Sequence, residues 1–439
     1  MNCDKSKVPP NIVFIVADDL GYADLSCCGQ TDFTTPHLDR LAAQGIRFTQ
    51  AYANAPLCTN TRVALMTGQY QYRYKLGLTE PLRHSSRDDP SMGLPSETRT
   101  LPGVLKEKGY ATSLVGKWHL GALPHFSPLR SGYDEFFGVM GGYTGYFTHL
   151  GDGGEVDFYE GETTIETQGY VTDLLSQRAV DTIQRNRHTA HPFFISLHYT
   201  APHWPWSSPY GEADAREREV DLARVADGGS PRIYADMVTC MDRGIGQVME
   251  AIAAAGQDRN TLVIFTSDNG GERYSKNWPF VGRKRDLLEG GLRVPLIVWG
   301  PDLILGGRVS DQVCISMDLA ATCWDAAQVS LSALSNVDGQ SLLPMLQSEQ
   351  ASQDRTLFWR MKDRQQEAIR CGKWKYLKMG DKRWLFDMNY DWRERTNFAV
   401  KHPDLLANLQ MQWLAWNEGM LPLPGDDVPI LVNLGEIPW

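Results

Sequence analysis

Asn11-Ile12-Val13-Phe14-Ile15-Val16-Ala17 is a continuous apolar run, closed by Pro10 on one side and by the carboxylate pair Asp18-Asp19 on the other. Continuous rather than alternating hydrophobicity predicts a strand buried on both faces, as in a largely parallel sheet covered by helices. The same pattern returns at residues 110–115, 192–199, 261–267 and 296–299. Between these runs lie helical stretches at residues 36–44, 100–108, 170–187, 231–256 and 317–329. The first of them opens with Thr35 as N-cap and Pro36 at its first position, and stops at Gly45. The expectation is an α/β fold on a large, mostly parallel sheet.

At 439 residues the chain exceeds one simple core, so a large domain and a smaller one are expected. Gln and Ser cluster near residues 345–355, and beyond them residues 356–384 hold short alternating strands such as Trp374-Lys375-Tyr376-Leu377-Lys378, which suit an antiparallel sheet. A last helix is expected at residues 403–416. The division is therefore an α/β domain over residues 1–350 and a smaller C-terminal α+β subdomain over residues 351–439. Residues 84–98 read as a surface loop, and residues 130–169, rich in Gly and Tyr with weak periodicity, as an insertion or long loop.

Composition narrows the function. A hydrophobic content of 42% with 22% charged residues is ordinary for a globular enzyme. The net charge of −10 argues against a nucleic-acid or anionic-membrane binder. No apolar run is long enough to span a bilayer. Residues 1–10 are polar and lack a signal-peptide hydrophobic region, so the protein is either cytoplasmic or a periplasmic or secreted one whose signal has been removed. Eight cysteines without a Cys-x-x-Cys pair argue against a zinc knuckle.

Chemistry gathers where the predicted strands end. Asp18-Asp19 follows the first, Gly116-Lys117-Trp118-His119-Leu120-Gly121 the second, Thr200-Ala201-Pro202-His203-Trp204-Pro205 the third and Asp268-Asn269-Gly270-Gly271 the fourth. Nothing comparable sits at the strand starts, and in open α/β sheets ligands bind outside the carboxyl ends. Adjacent carboxylates at a buried strand end are costly unless a cation meets them, and a hard divalent cation is the natural partner. Alone, Asp18-Asp19 fits a solvated turn equally well, and His203 fits a loop histidine satisfied by its neighbours. The remaining stretch is Pro56-Leu57-Cys58-Thr59-Asn60-Thr61-Arg62-Val63-Ala64-Leu65-Met66-Thr67-Gly68. It places Cys58 at a helix start, where free backbone N–H groups stabilise an anion. A buried structural cysteine is the alternative, and the spacing to Arg62 is too short for a Cys-x5-Arg phosphatase loop.

This stretch resembles the signature of the sulfatase family, Cys-x-Pro/Ala-x-Arg before an apolar pair and Thr-Gly, with Asn60 where the family has Pro or Ala. The family's second signature, Gly-Tyr-x-Thr-x-x-x-Gly-Lys-Trp-His-Leu-Gly, is matched throughout from Gly109 to Gly121. Lys284-x4-Glu289-Gly290-Gly291-x-Arg293-x-Pro295 and Leu385-Phe386-Asp387 also look like the family pattern. The resemblance runs from Asn11 to about Asn397. It implies the alkaline-phosphatase-like fold, with a large mixed sheet. It also implies that Asp18, Asp19, Asp268 and Asn269 hold one Ca²⁺. Cys58 would be oxidised to formylglycine by a dedicated maturation machinery, and its hydrate would attack sulfur. By the same resemblance Arg62 orients and helps ionise that hydrate with His119 alongside, Lys117 and Lys284 bind sulfate oxygens, and His203, with Lys284, protonates the leaving alcohol. The all-oxygen metal set argues against two-zinc phosphatases of the same fold.

The segments His125-Phe126-Ser127-Pro128-Leu129 and Gly132-Tyr133-Asp134-Glu135-Phe136-Phe137-Gly138 are similar to those of sulfatases acting on sugar sulfates, including galactose-type 6-sulfates. Trp204, Trp206, Tyr143 and Tyr146 either stack on sugar rings or pack in the core. Two other readings stand beside a sugar-sulfate sulfatase. One is a phosphodiester or phosphonate monoester hydrolase on the same site. The other is a catalytically silent, Ca²⁺-dependent binder of sulfated glycans, which would follow if Asn60 blocks cysteine oxidation.

Overall fold

The computed structural model describes residues 9–220, 228–349 and 352–425. In chain order the strands are β1 (Asn11–Ala17), β2 (Ile46–Phe48), β3 (Ala51–Tyr52), β4 (Ala111–Lys117), β5 (Glu135–Val139), β6 (Tyr159–Glu160), β7 (Thr163–Thr164), β8 (Phe193–His198), β9 (Thr261–Ser267), β10 (Leu296–Trp299), β11 (Arg308–Ser310), β12 (Cys314–Ile315), β13 (Thr356–Met361), β14 (Gln366–Cys371), β15 (Trp374–Met379) and β16 (Lys382–Asp387). A ten-stranded sheet has the order β11-β2-β10-β9-β1-β8-β4-β5-β6-β7. Its centre, β9-β1-β8-β4-β5, is parallel throughout. β10 turns the sheet mixed by running antiparallel to both β9 and β2.

Side chains alternate between the two faces, so each face feeds its own core. Ile12, Phe14 and Val16 join Val63 and Met66 of helix Cys58–Thr67, Val104 and Leu105 of Leu101–Glu107, and Leu319 and Trp324 of Met317–Ala326. Val13, Ile15 and Ala17 face Leu38 and Leu41 of Pro36–Gln44, Leu175 and Ile183 of Val171–Asn186, and Met241 and Ile245 of Pro231–Ala254. β4 and β8 approach so closely that a Cβ at Gly116, where φ is +121°, would lie 1.8 Å from the His198 carbonyl oxygen. Only glycine fits there, which gives one position of the Gly-Lys-Trp-His motif a purely structural reason.

Three expectations need correction. Residues 130–169 are not simply a loop: Glu135–Val139 is a fifth parallel strand, with Phe136 in one core and Phe137 in the other. The strand that starts near residue 110 runs on through Lys117. Thr35 occupies the N-cap position without capping; its hydroxyl donates to Asp39 Oδ1 at 3.2 Å and accepts from Ser26 N. The helix start is capped from a neighbouring helix, whose Asp242 carboxylate accepts from His37 N at 3.1 Å and Leu38 N at 2.8 Å.

β13 to β16 form an antiparallel sheet in sequence order, with helix Pro403–Glu418 against it. A third core joins this sheet to the large domain, where β3 pairs with β12 outside the ten-stranded sheet: Tyr52, Leu57, Ala64 and Leu292 pack against Leu357, Trp359, Leu377 and Phe386. A buried ionic network crosses the same seam. Lys375 Nζ lies 2.9 Å from Glu289 Oε1 and 2.7 Å from Glu394 Oε1, and Arg293 and Tyr52 also bond Glu289. The seven described cysteines, Cys27, Cys28, Cys58, Cys240, Cys314, Cys323 and Cys371, are free thiols; Cys3 lies outside the described residues. No helix among the described residues is long and apolar enough to cross a membrane.

Candidate active site

Because β9, β1, β8 and β4 are consecutive neighbours and parallel, their carboxyl ends deliver Asp268-Asn269, Asp18-Asp19, His203 and Lys117-His119 to one edge of the sheet. Helix Cys58–Thr67 points its N-terminus at the same edge, and all ten of its residues are buried. The Cys58 thiol and the carboxylates of Asp18 and Asp268 have ligand atoms within 4.8 Å of one another, as do Asp18, Asp19 and His203. Lys284 arrives from the long segment after β9 and donates to Asp19 Oδ2 at 2.7 Å. Two of the gathered residues adopt left-handed backbone, Asp19 (φ 63°) and His119 (φ 56°). Non-glycine residues rarely do so without compensation from the surrounding structure.

The charges interlock. Lys117 Nζ donates to Asp18 Oδ2 at 2.6 Å. Arg62 Nε and Nη2 both donate to Asp268 Oδ2, at 3.1 and 2.9 Å, while Nη1 donates to the Lys117 carbonyl at 3.1 Å. Asn269 Nδ2 donates to Asp19 Oδ1 at 2.7 Å, and the Asp19 amide donates to Asp268 Oδ1 at 3.2 Å. Two oxygens of this group remain without a partner although buried, Asp18 Oδ1 and Asn269 Oδ1. Unsatisfied buried acceptors are expensive, and a cluster of carboxylate and amide oxygens is the donor set of a hard cation such as Ca²⁺. The residues present fit that group.

Protonation follows from the packing. Burial raises the Cys58 thiol, outweighing Lys117 and Lys284, so the unmodified residue is a neutral thiol and a weak nucleophile. Burial also pushes Asp19 up, yet Lys284 and His203 outweigh it and hold the carboxyl at about 2. Asp268 is raised to about 6, by burial first and Asp18 second, against Arg62. Burial opposes the charge on Lys284, but Asp19 and Glu272 raise it well above an ordinary lysine.

The two histidines are both held neutral, with opposite tautomers. His119 Nε2 lies 3.0 Å from the Leu82 carbonyl, which only accepts, so Nε2 carries the hydrogen and the buried, unpartnered Nδ1 carries the lone pair. Burial, then Lys117, lowers it well below an ordinary histidine. His203 Nδ1 donates to the Trp204 carbonyl at 2.6 Å, leaving Nε2 unprotonated 3.5 Å from Asp19 Oδ2. Burial and Lys284 lower His203 to about 3.

A cavity of about 480 Å³ opens over this floor. Cys58, His119, His203 and Lys284 line it, whereas Arg62, Lys117 and the carboxylates Asp18 and Asp268 do not. Of the four aromatics considered for sugar stacking, Tyr143 and Trp204 line the cavity, 4.3 Å apart between ring centres. Tyr146 and Trp206 are core residues. Tyr146 stacks on Tyr170 and donates to the His203 carbonyl at 3.0 Å, and Trp206 packs on Tyr274. Sequence reasoning missed Thr59, Glu272 and the segment 82–87. Thr59 Oγ1 contacts His119 Nε2 at 3.1 Å and accepts from Leu82 N at 3.2 Å. Glu272 lines the cavity with Oε2 buried and unpartnered, and its place three residues after Asn269 was the available signal.

Known proteins are similar to this chain over most of its length. The profile of the family described as Sulfatase matches residues 10–329, and that of the N-sulphoglucosamine sulphohydrolase C-terminal region matches residues 280–414. The chain is 34% identical over 371 residues to the N-acetylgalactosamine-6-sulfatase of Canis lupus familiaris, covering 80% of this chain and 68% of the relative. It is 30% identical over 433 residues to the steryl-sulfatase of Mus musculus, covering 80% and 67%. Among solved structures, Ps i-CgsB in complex with k-i-k-neocarrahexaose superposes with a TM-score of 0.83 at 29% identity, over 94% of each chain.

Proposed function

The chain belongs to the sulfatase family, and from that premise we propose that it hydrolyses a sulfate monoester of a sugar, with the side chain at position 58 as the attacking group. The observation that carries this reading is that residue 58 lies against the strand-end carboxylates and also lines one cavity with His119, His203 and Lys284. Formylglycine made from Cys58 would supply a hydrated aldehyde, one hydroxyl for bonding sulfur and the other for releasing sulfate. Asp18, Asp19, Asp268 and Asn269 would hold one Ca²⁺, which supplies positive charge beside the sulfate oxygens.

The chain's own groups do the rest. Lys284, firmly protonated and lining the cavity, meets the sulfate oxygens and stabilises the charge that develops there. Lys117 and Arg62 lie below the cavity and fix Asp18 and Asp268 by direct bonds, Lys117 adding its charge from beneath the transferring group. The free lone pair on His119 Nδ1 suits it to take the proton of the attacking hydroxyl. His203 presents Nε2 toward Asp19 and Lys284. An anionic substrate beside it offsets the Lys284 field, and Nε2 then carries the proton delivered to the leaving alcohol.

The relative named N-acetylgalactosamine-6-sulfatase, together with the Tyr143–Trp204 wall, supports galactose-type 6-sulfates as the substrate class. We also read residues 1–350 as the catalytic domain and residues 351–439 as a subdomain, on the separateness of the two sheets. Paired assays of a sugar 6-sulfate and an aryl phosphodiester test the reaction. Sulfate release that far exceeds phosphodiester cleavage is expected; the opposite order would make the phosphodiesterase reading the correct one.

A further inference from the structure

We propose that Arg83 binds a second anionic group of the substrate, a sulfate or a carboxylate, so that the preferred sugar carries a negative charge besides the sulfate being removed. The inference rests on the sulfatase reading and narrows its substrate. Arg83 lines the same cavity as Cys58, His119 and Lys284, and its side chain is half-buried.

Its charge is unlike the others around that cavity. Arg87 pairs with Glu155, which also lies 3.6 Å from His84 Nδ1. Arg285 pairs with Asp363 at 3.1 Å, and Lys284 with Asp19 at 2.7 Å. Most acidic groups on the wall are engaged as well, and Glu272, whose Oε2 has no hydrogen bond, lies in the field of Lys284. Asp152 accepts from the Tyr143 hydroxyl at 3.1 Å, and Asp157 accepts from Met140 N at 3.2 Å and Gly141 N at 2.9 Å. Arg83 has neither a side-chain hydrogen bond nor an ion pair among the described residues. A half-buried guanidinium without a counter-ion presents five donors in a planar fork, the geometry that matches sulfate or carboxylate.

Its position is fixed to the chemistry. The residue before it, Leu82, donates its amide to Thr59 Oγ1 at 3.2 Å and accepts His119 Nε2–H on its carbonyl at 3.0 Å. Arg83 thus begins one residue from groups that touch the reacting end of the cavity. The anion it meets sits on the same ring as the reactive sulfate or on the next one. Tyr143 and Trp204 supply apolar wall to the same cavity.

The test uses the formylglycine-bearing enzyme with three substrates: N-acetylgalactosamine 6-sulfate, its 4,6-disulfate, and a disaccharide joining the 6-sulfate to a uronic acid. Wild type should favour at least one dianionic substrate by tenfold or more in kcat/KM, and the favoured one tells sulfate from carboxylate. Arg83→Gln should erase roughly tenfold to a hundredfold of that preference, the size of one charged hydrogen-bond pair, chiefly through KM. Arg83→Lys should keep part of it, which also controls for misfolding. Equal use of all three substrates by wild type, or an unchanged preference in Arg83→Gln with an unchanged melting temperature, overturns the inference while leaving the sulfatase reading intact. No turnover of any sulfate ester overturns both.

Discussion

At the scale of single residues the departure at Asn60 has a structural role. Its Nδ2 donates to the carbonyls of Gly77 at 2.9 Å and Thr79 at 2.8 Å, tying the helix start to the segment that leads to the cavity wall. Proline at this third helical position is tolerated by the backbone, because first-turn amides have no intrahelical acceptor. Asn60→Pro should therefore raise the fraction of Cys58 converted to aldehyde, since proline presets the extended segment that maturation reads. It should also lower stability by about 1–3 kcal/mol, because the buried Gly77 carbonyl and the part-buried Thr79 carbonyl lose their donor. Peptide mass spectrometry with thermal melts checks both halves; a more stable variant would show that these bonds contribute nothing. His203 carries a second expectation. His203→Ala should slow a sugar sulfate by about 10²–10⁴-fold, the span of general acid catalysis, yet slow nitrophenyl sulfate far less, because nitrophenolate leaves without a proton. Equal losses on both substrates would remove His203 from the acid role.

At the scale of elements, the sequence was most readable where hydrophobicity is continuous. Thr261–Ser267 and Leu296–Trp299 lie where the pattern put them, each buried along its whole length. Glu135–Val139 escaped because a short strand among glycines and tyrosines has no periodicity of its own, and its place is set by β4 beside it. Lys117 and Arg62 stood out in the sequence as candidates, but not as residues beneath the cavity, since depth depends on which carboxylate each one meets. The segment after β5 gives a pH expectation. Asp157, holding Met140 N and Gly141 N, is raised by burial to about 6, against 3.8 for the free group. Between those values the folded state binds the extra proton, so this group's contribution to stability falls as pH rises from about 4 to 6 and is level above. The whole change is about 3 kcal/mol at roughly 1.4 kcal/mol per pH unit. Melting temperature against pH for wild type and Asp157→Asn checks it: the variant should gain relative to wild type across that window, and parallel curves would contradict the assignment.

At the scale of the molecule, the two sheets are joined by an apolar core with charges buried inside it. Lys375 alone faces both Glu289 and Glu394, and the side chains of all three are buried. Lys375→Met should cost about 3–5 kcal/mol, because Glu394 would lose the cation it faces and Glu289 one of its two ion-pair partners. The seam was invisible in the sequence: Lys375 sits in an alternating strand like any surface lysine, and only the packing of β15 against Glu289 buries it. The strand-end chemistry was legible because it repeats after four separate strands, and the order of those strands in the sheet then brings it together.

The central claim is that residue 58 performs sulfate-ester hydrolysis as formylglycine, and its most direct test joins two readings on one preparation. Protein from a host with the oxidising machinery is assayed on a sugar 6-sulfate, and the peptide containing Cys58 is weighed by mass spectrometry. The account predicts the lighter aldehyde-bearing peptide, with activity rising in proportion to its fraction across preparations and abolished in Cys58→Ala. A fully active preparation whose peptide carries only the thiol would contradict it.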